Sequence, residues 1–373
     1  MATENNYWWL VDDIDQWDTP ALFVYPSRVI NNIRILKKMI DNPLRLRPHA
    51  KTHKTKEATQ LLIKEGINKF KCATIAEAEM LAICDANDVL LAYQPVGPKV
   101  ERLCLLVKKY KHTEFSCLID NSFAAREIAN LFSSQGLTIK VYVDLNVGQG
   151  RTGISPGAAA IQLYMDCSQL KGIQLAGFHA YDGHIHDSDF NTRKRRCDES
   201  FADVEKLKLT LMEMGFAEPL IIAGGTPTFS IHCKREKIEC SPGTFIYWDK
   251  GYLEICSEQD FIPAAIVITR VISLPDKNKL CLDLGHKSIA SENELSRRVY
   301  FLNAPDLKAI SHSEEHLVVE VVAGHSYKIG DVFYGLPYHI CPTCALFEKA
   351  YTIENAEVTG HWKMIARNRT ITV

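Results

Sequence analysis

No stretch of this 373-residue chain approaches the roughly 20 consecutive apolar residues that a membrane-spanning helix needs, so a membrane protein is not expected. The opening residues, MATENNYWWLVDDIDQWDTPALFVYP, lack the basic stretch and apolar run of a secretory signal and carry acidic residues instead. An excess of one charge is missing too. With 43 Lys and Arg against 45 Asp and Glu the net charge is -2, which gives no global attraction to nucleic acid or to an anionic bilayer. Low-complexity tracts are absent. A cytoplasmic protein with a small polar partner is the expectation that remains. Cysteine, by contrast, is plentiful at 12 residues, and in that compartment these are read as reduced core residues or metal ligands rather than disulfides. The composition, 46% hydrophobic and 24% charged, is that of a folded globular chain long enough for a large α/β barrel with an appendage or for two domains.

Short runs rich in β-branched and aromatic residues recur at 44–50, 70–74, 89–93, 115–120, 140–145, 175–181, 220–224 and 238–245. Each is closed by Gly, Pro, Asp or Thr and followed by an amphipathic segment, such as IAEAEMLAIC or SFAAREIANLF, with apolar residues at helical spacing. Thr74, three residues before Glu77, has the spacing of a capping box. Eight βα units predict a closed (β/α)8 TIM-type barrel over residues 20–247, with a doubly wound open sheet as the alternative. Beyond about Tyr247 the rhythm changes: AAIVITRVISL, KLCLDLG, HLVVEVV and DVFYGLPYHIC are strand-like and have no helices between them. Residues 248–373 are therefore expected to form a second, β-strand-rich domain, to which residues 1–19 add a strand.

A barrel enzyme carries its chemistry at the C-terminal ends of the strands, and the residues there are polar. They include His49 and Lys51, Thr74, Tyr93 with Gln94, Asp120 with Asn121, Asp144 with Arg151, His179 with Tyr181 and His184, then Gly224, Gly225 and Thr226, and finally Gly243, Thr244 and Tyr247. The stretch LRLRPHAKTHKT poses the question of whether one lysine is held for covalent work or whether this is a basic loop. In AGGTPT two glycines let backbone approach an anion, and Thr226 is read as the cap of the next helix, the composition of a phosphate cradle. Gly148, Gly150 and Gly153 have G-x-G-x-x-G spacing, but they fall in the fifth βα unit and the next strand ends in His179 and Tyr181, which speaks against a dinucleotide site. His339 and Cys341, at i and i+2 of an expected strand, share a face and offer an imidazole and a thiolate to one ion, a set zinc accepts. Cys344 is read as a core residue, His184 with His186 as a substrate-contacting or surface loop with a second metal site as the alternative, and TRKRR at 192–196 as a solvated helix face.

RPHAKTHKT, GQGRTG, AGGTPT, SPGTFIYWD and HICPT, in that order over most of the chain, resemble the D-serine dehydratase and D-threonine aldolase family of alanine-racemase-like, fold-type III enzymes. The resemblance implies pyridoxal 5'-phosphate (PLP) as cofactor, Lys51 as the Schiff-base lysine and catalytic residue, and His49 and Tyr247 among the cofactor-binding residues. It further implies Tyr181 near the cofactor ring, Arg151 near the pyridine nitrogen, and Gly224, Gly225 and Thr226 at the phosphate. His339 and Cys341 would bind the metal, and the protein would be a homodimer acting on a D-β-hydroxy amino acid. In that family dehydratases present His-x-Cys and aldolases His-x-Asp, so Cys341 favours a zinc-dependent dehydratase of D-serine, releasing pyruvate and ammonia. An aldolase would use Mn2+ or Mg2+ and cleave D-threonine to glycine and an aldehyde. Cys344 departs from the dehydratase pattern, which has an apolar residue there, and leaves D-threonine and 3-hydroxyaspartate open as dehydratase substrates. A PLP carrier without catalysis is the competing class, and it predicts no second domain and no metal pair.

Overall fold

The computed structural model describes residues 7–373, and the chain divides into two compact units. Residues 35–51, 56–243 and 368–373 form the barrel unit; the described part of 1–34, with 52–55 and 244–367, forms the β unit.

Among the described residues the barrel unit holds a seven-stranded parallel sheet in sequence order: Lys69–Cys72, Asp88–Leu91, Glu114–Ile119, Ile139–Leu145, Ile173–Ala180, Leu220–Ala223 and Ile238–Cys240. Helices such as Ile75–Ile83, Pro98–Lys109 and Ser122–Ser134 alternate with the strands, as their apolar spacing requires. The Thr74 hydroxyl accepts the Glu77 N–H at 3.0 Å, and the Glu77 carboxylate reaches back to the Ala73 N–H at 2.6 Å, so the first of these helices starts where the capping box places it. Leu90, Leu118, Tyr142 and Ile222, from four different strands, pack together as one layer of the core.

The first expected strand, 44–50, is not a regular strand. Pro43–Arg45 is a 3-10 turn, and beyond it single parallel bridges pair Leu46 with Cys240 and His49 with Lys71. Proline has no N–H, so Pro48 contributes only its carbonyl, which accepts the Lys71 N–H at 2.9 Å. The bridges nevertheless join the last strand to the first: Arg47 N–H donates to Cys240 O at 2.9 Å and Ala50 N–H to Lys71 O at 2.8 Å. Side chains complete the seam. The fully buried Arg47 guanidinium donates to both carboxylate oxygens of Asp88, at 2.6 and 2.7 Å, and to Glu239 at 2.6 Å. The C-terminal residues 368–373 belong to this unit because the Thr372 and Val373 N–H groups donate to the Glu79 carboxylate at 2.9 and 3.2 Å.

The β unit is built on a nine-stranded sheet among the described residues. Its spine is the strand Ala265–Asp276, which pairs antiparallel with Ala21–Val24, Lys279–Leu282 and Val332–Pro337. Ala21–Val24 also pairs in parallel with Lys349–Glu354, so the N-terminal strand comes from ALFV, and residues 20–34 lie in this unit instead of in the barrel. Trp9, Phe23, Tyr25, Ile266, Ile268 and Tyr334 form its aromatic core. The expected strand over 331–341 stops at Pro337, and Ile340–Leu346 is helical; Pro342 is tolerated because it lies in the first turn, where its missing N–H costs nothing. All 12 cysteines are free and buried. Among the described residues no helix is long and apolar enough to cross a membrane.

Removing Arg47 would leave Asp88 without its cation and Glu239 with Lys69 alone. Arg47→Met is expected to destabilise the protein by about 3–5 kcal/mol, measured by urea unfolding, and an unchanged midpoint would show that the backbone bridges alone close the ring.

Candidate active site

In the barrel unit the polar strand ends are arranged in specific contacts. His49 Nδ1 accepts the Lys51 N–H at 3.2 Å, which sets the turn that presents Lys51. Lys51 is exposed, whereas the notion of an amine dehydrated by burial fits a different residue, Lys71, which is 3% exposed. Lys71 Nζ lies 5.1 Å from the centroid of the Tyr181 ring, and the Arg151 guanidinium lies 5.3 Å from the same centroid. Burial first, then the Lys51 and Arg151 cations, push the Lys71 amine down to about 7 against the opposing pull of Asp144 and Asp182.

Two buried carboxylate–imidazole pairs sit at the ends of neighbouring strands. His179 Nδ1 is 2.7 Å from Asp144 Oδ1, and its Nε2 is buried with no hydrogen-bond partner. Burial would raise the Asp144 carboxyl, but the bond from His179 outweighs it and holds the acid below its ordinary range; burial and the Lys71 cation keep His179 low. Asp182 accepts from Thr228 Oγ1 at 2.8 Å and pairs with His232 Nε2 at 2.9 Å. Thr228 Oγ1 in turn accepts the Gly225 N–H at 3.3 Å. The acid therefore props the glycine loop from beneath. Gly224 has φ +73, and a Cβ there would meet His232 Cδ2 at 2.7 Å; a Cβ on Gly225 would meet the Tyr181 ring at 3.0 Å. Thr226 is not the expected helix cap: the following helix, Phe229–His232, is a single turn capped by Thr228, and Thr226 Oγ1 accepts the Gly243 N–H at 3.1 Å.

Among the described residues the one group of three potential metal donors in mutual reach is Asp182, Cys197 and His232. Burial pushes the Cys197 thiol far up, and Cys197 Sγ lies 3.3 Å from His232 Nε2, so these three residues form a hydrogen-bonded cluster of the loop support. His184 is half-buried against Gly148, where a Cβ would meet its Nε2 at 2.7 Å, and His186 is exposed. Gly148 and Gly150 donate to Asn146 Oδ1 at 3.1 and 3.0 Å with no helix opening before Ala158, which is not a dinucleotide turn. In the basic run, Arg193 is buried, while Lys194 and Arg195 pair with Asp198 and Glu199 one turn on.

The β unit holds the second set of expected residues. His339 and Cys341 are not alternate residues of a strand; His339 is the N-cap of Ile340–Leu346 and Cys341 lies in its first turn. The helical turn still keeps the two side chains near enough for Cys341 to raise the His339 imidazole. His339 Nδ1 is bonded to the Glu292 carboxylate, the arrangement by which a ligating imidazole is usually oriented. Burial would lower the His339 imidazole, but Cys341, Asp249 and Glu292 together hold it up at about 9. Cys341 Sγ also lies 3.1 Å from Thr52 Oγ1 and 3.5 Å from Thr244 Oγ1. Asp249, buried and raised to about 6 by that burial, accepts the Tyr252 and Ile340 N–H groups, each at 3.0 Å, and so anchors the helix that carries the pair. Tyr247 is fully buried in this unit, and Cys344 is a core residue whose thiol burial pushes far up.

The residues fit the two implied groups. An exposed amine at Lys51, an aromatic face at Tyr181, a cation at Arg151, a glycine loop that tolerates no Cβ, a buried lysine at Lys71 and an orphaned ring nitrogen at His179 match the parts of PLP. A soft thiol beside an imidazole backed by a carboxylate suits zinc. Sequence reasoning missed Lys71, Asp182, His232, Asp249 and Glu292. Lys71 had a signal, a charge in the middle of a strand; Glu292, in a loop, had none.

His53 repeats the motif's turn, its Nδ1 accepting the Thr55 N–H at 3.3 Å, and burial lowers it to about 3 from an ordinary 6.5. Between those values the unfolded chain binds a proton that folded His53 does not, so stability is full above pH 6.5 and falls as pH drops toward 3. Urea unfolding across that window should show a shallower pH slope for His53→Gln than for the wild type; equal slopes would contradict the assignment.

A family profile described as "Alanine racemase, N-terminal domain" matches residues 24–250, and one described as "Putative serine dehydratase domain" matches residues 264–353. A D-threonine aldolase of Arthrobacter sp is 27% identical over 364 residues, covering 95% of this chain and 94% of that protein. A D-serine dehydratase of Dictyostelium discoideum is 23% identical over 401 residues, covering 94% and 96%. The crystal structure of a D-threonine aldolase from Filomicrobium marinum superposes with a TM-score of 0.87 at 24% identity, covering 96% of this chain and 98% of that one. The parallel barrel sheet with a second sheet-rich domain is thus the alanine-racemase-like fold, and the chain belongs to the alanine racemase N-terminal domain family.

Proposed function

We propose that this chain is a PLP- and zinc-dependent lyase acting on D-β-hydroxy amino acids, and that its reaction is the dehydration of D-serine to pyruvate and ammonia. The observation that carries this reading is the placement of His339 and Cys341 on one helical turn, with Glu292 bonded to the imidazole. A thiolate in the donor set selects zinc over manganese or magnesium, and zinc held there supplies a Lewis acid for the substrate hydroxyl. PLP, when bound, supplies an electron-withdrawing ring conjugated to the substrate Cα.

The chain's own residues do the rest. Lys51 holds the cofactor and, once released from it, takes the Cα proton on Nζ. His49 fixes the Lys51 backbone, and Arg151, held over the Tyr181 ring, would supply a cation to the ring nitrogen. Tyr181 would face the ring, and Gly224, Gly225 and Thr226 would receive the phosphate. Glu292 orients His339 for the metal, and Asp249 fixes the helix that carries both ligands.

The aldolase reading is the second one, favoured by the identity of 27% to a D-threonine aldolase over nearly the whole chain. The two are separated by products. Protein loaded with PLP and zinc is expected to release pyruvate and ammonia from D-serine, and to stop when the metal is chelated. Acetaldehyde and glycine from D-threonine, without pyruvate from D-serine, would overturn the dehydratase reading. Lys51→Ala should lower turnover by at least about a hundredfold. Cys341→Ala should retain its fold by circular dichroism while losing zinc by elemental analysis.

A further inference from the structure

Lys71 is an ammonium-bearing side chain that the reaction above does not use. It is 3% exposed, and no acceptor for its Nζ is found among the described residues. It belongs to the strand Lys69–Cys72, yet its Nζ lies 5.1 Å from the ring of Tyr181, which follows the strand Ile173–Ala180 four strands away. The side chain therefore crosses the barrel interior instead of turning outward. Isolated buried cations are costly, and one left without an acceptor is held for a partner that arrives later.

The connectivity of the ring identifies that partner. Lys51 follows a segment bridged on one side to the last strand, through Leu46 and Cys240, and on the other to the first, through His49 and Lys71. The Ala50 N–H donates directly to the Lys71 carbonyl at 2.8 Å. In PLP the aldehyde carbon that bonds the lysine hangs on a ring carbon flanked by two others, one bearing the phosphate arm and the other the ring oxygen. The glycine loop that receives the phosphate, Gly224 to Thr226, follows the strand Leu220–Ala223, and Thr226 is tied to Gly243 beyond the strand Ile238–Cys240. The phosphate arm thus lies on the last-strand flank of Lys51. The ring oxygen must then lie on the opposite flank, which is that of Lys71.

We propose that Lys71 is a second amine of this site, the countercharge to the ring oxygen of a PLP attached at Lys51. This rests on the reading that Lys51 carries that cofactor. Lys71 holds the oxygen as an anion and so keeps the proton of the chromophore on its nitrogen side, the state that withdraws electrons from the substrate. The charges facing its amine are Lys51 and Arg151, which disfavour its protonation, and Asp144 and Asp182, which favour it. Burial and the two cations hold the amine at about 7 against those carboxylates, a poise that an arriving anion shifts toward the charged form. His179, with its unpartnered Nε2 and its bond to Asp144, closes the polar layer.

The test uses the full chain stripped of cofactor and titrated with PLP while its absorption spectrum is recorded. The wild type is expected to turn yellow and Lys51→Ala to lack the lysine-bound chromophore. In Lys71→Met the visible band should lose intensity to the near-ultraviolet form, with binding weakened roughly tenfold or more, the scale of a lost charge-assisted bond. Lys71→Gln should bind and absorb like Lys71→Met, and Lys71→Arg should recover part of the visible band, since charge and not volume is at stake. A wild-type spectrum in both Lys71→Met and Lys71→Gln would overturn this role and leave Lys51 untouched. An unchanged spectrum with a raised KM for substrate alone would likewise overturn it, assigning Lys71 to a substrate anion. A wild type that forms no chromophore would overturn the cofactor reading itself and this inference with it.

Discussion

Pro48 denies the first segment of the barrel the ladder that joins every other pair of strands, and the Arg47 guanidinium replaces what it removes. Pro48 accepts but cannot donate, so residues 46–50 reach their neighbours through single bridges on either side. Arg47 spans the gap with a forked contact to Asp88 and a third bond to Glu239, all in a region where it has no exposure to water. A planar, permanently charged fork suits this, because it satisfies two strands from one side chain. Everything at the site follows from that closure. Lys51 is presented by the end of the segment so held, and His49 and Ala50 fix the backbone on which it rides.

Above this seam the barrel interior changes from apolar to charged. Leu90, Leu118, Tyr142 and Ile222 fill one layer, while Lys71, Asp144, His179 and Asp182 are buried at or just beyond the ends of the strands. Each acid is matched to an imidazole on a neighbouring element, Asp144 to His179 and Asp182 to His232, which keeps both ionised despite burial. The Asp182 pair braces the glycine loop through Thr228. The Asp144 pair leaves the Nε2 of His179 unsatisfied. The β unit uses the same device in a different form: Asp249 anchors a short helix whose first turn brings His339 and Cys341 together, and Glu292 turns the imidazole.

Much of this was legible. The βα rhythm located seven strands within a few residues, because period and composition are local properties of a buried parallel strand. The motif residues fell at strand ends, where barrel chemistry is placed. The errors share a cause as well. The proline-broken segment 44–50 looked like a strand because its residue types are those of one, and only the missing N–H decides otherwise. Residues 331–341 looked like one continuous strand, while Pro337 and the buried Asp249 end it and start a helix. Lys51 is exposed and Lys71 buried, a difference the sequence does not show, since exposure is set by what packs above a side chain and not by its own neighbours in sequence.

The sequence by itself determined the class of architecture, the order of its units and the residue types offered at each strand end, because these depend on local periodicity and on turn residues. It also placed His339 and Cys341 two residues apart, although on a helical turn and not on a strand. Tertiary structure alone decided which charges lose water, which acid supports which imidazole, and which lysine crosses the barrel. Asp144 and His179 are 35 residues apart, Asp182 and His232 are 50 apart, and His339 and Glu292 are 47 apart. Desolvation and pairing are properties of the space that strand order encloses, and no spacing along the chain encodes them.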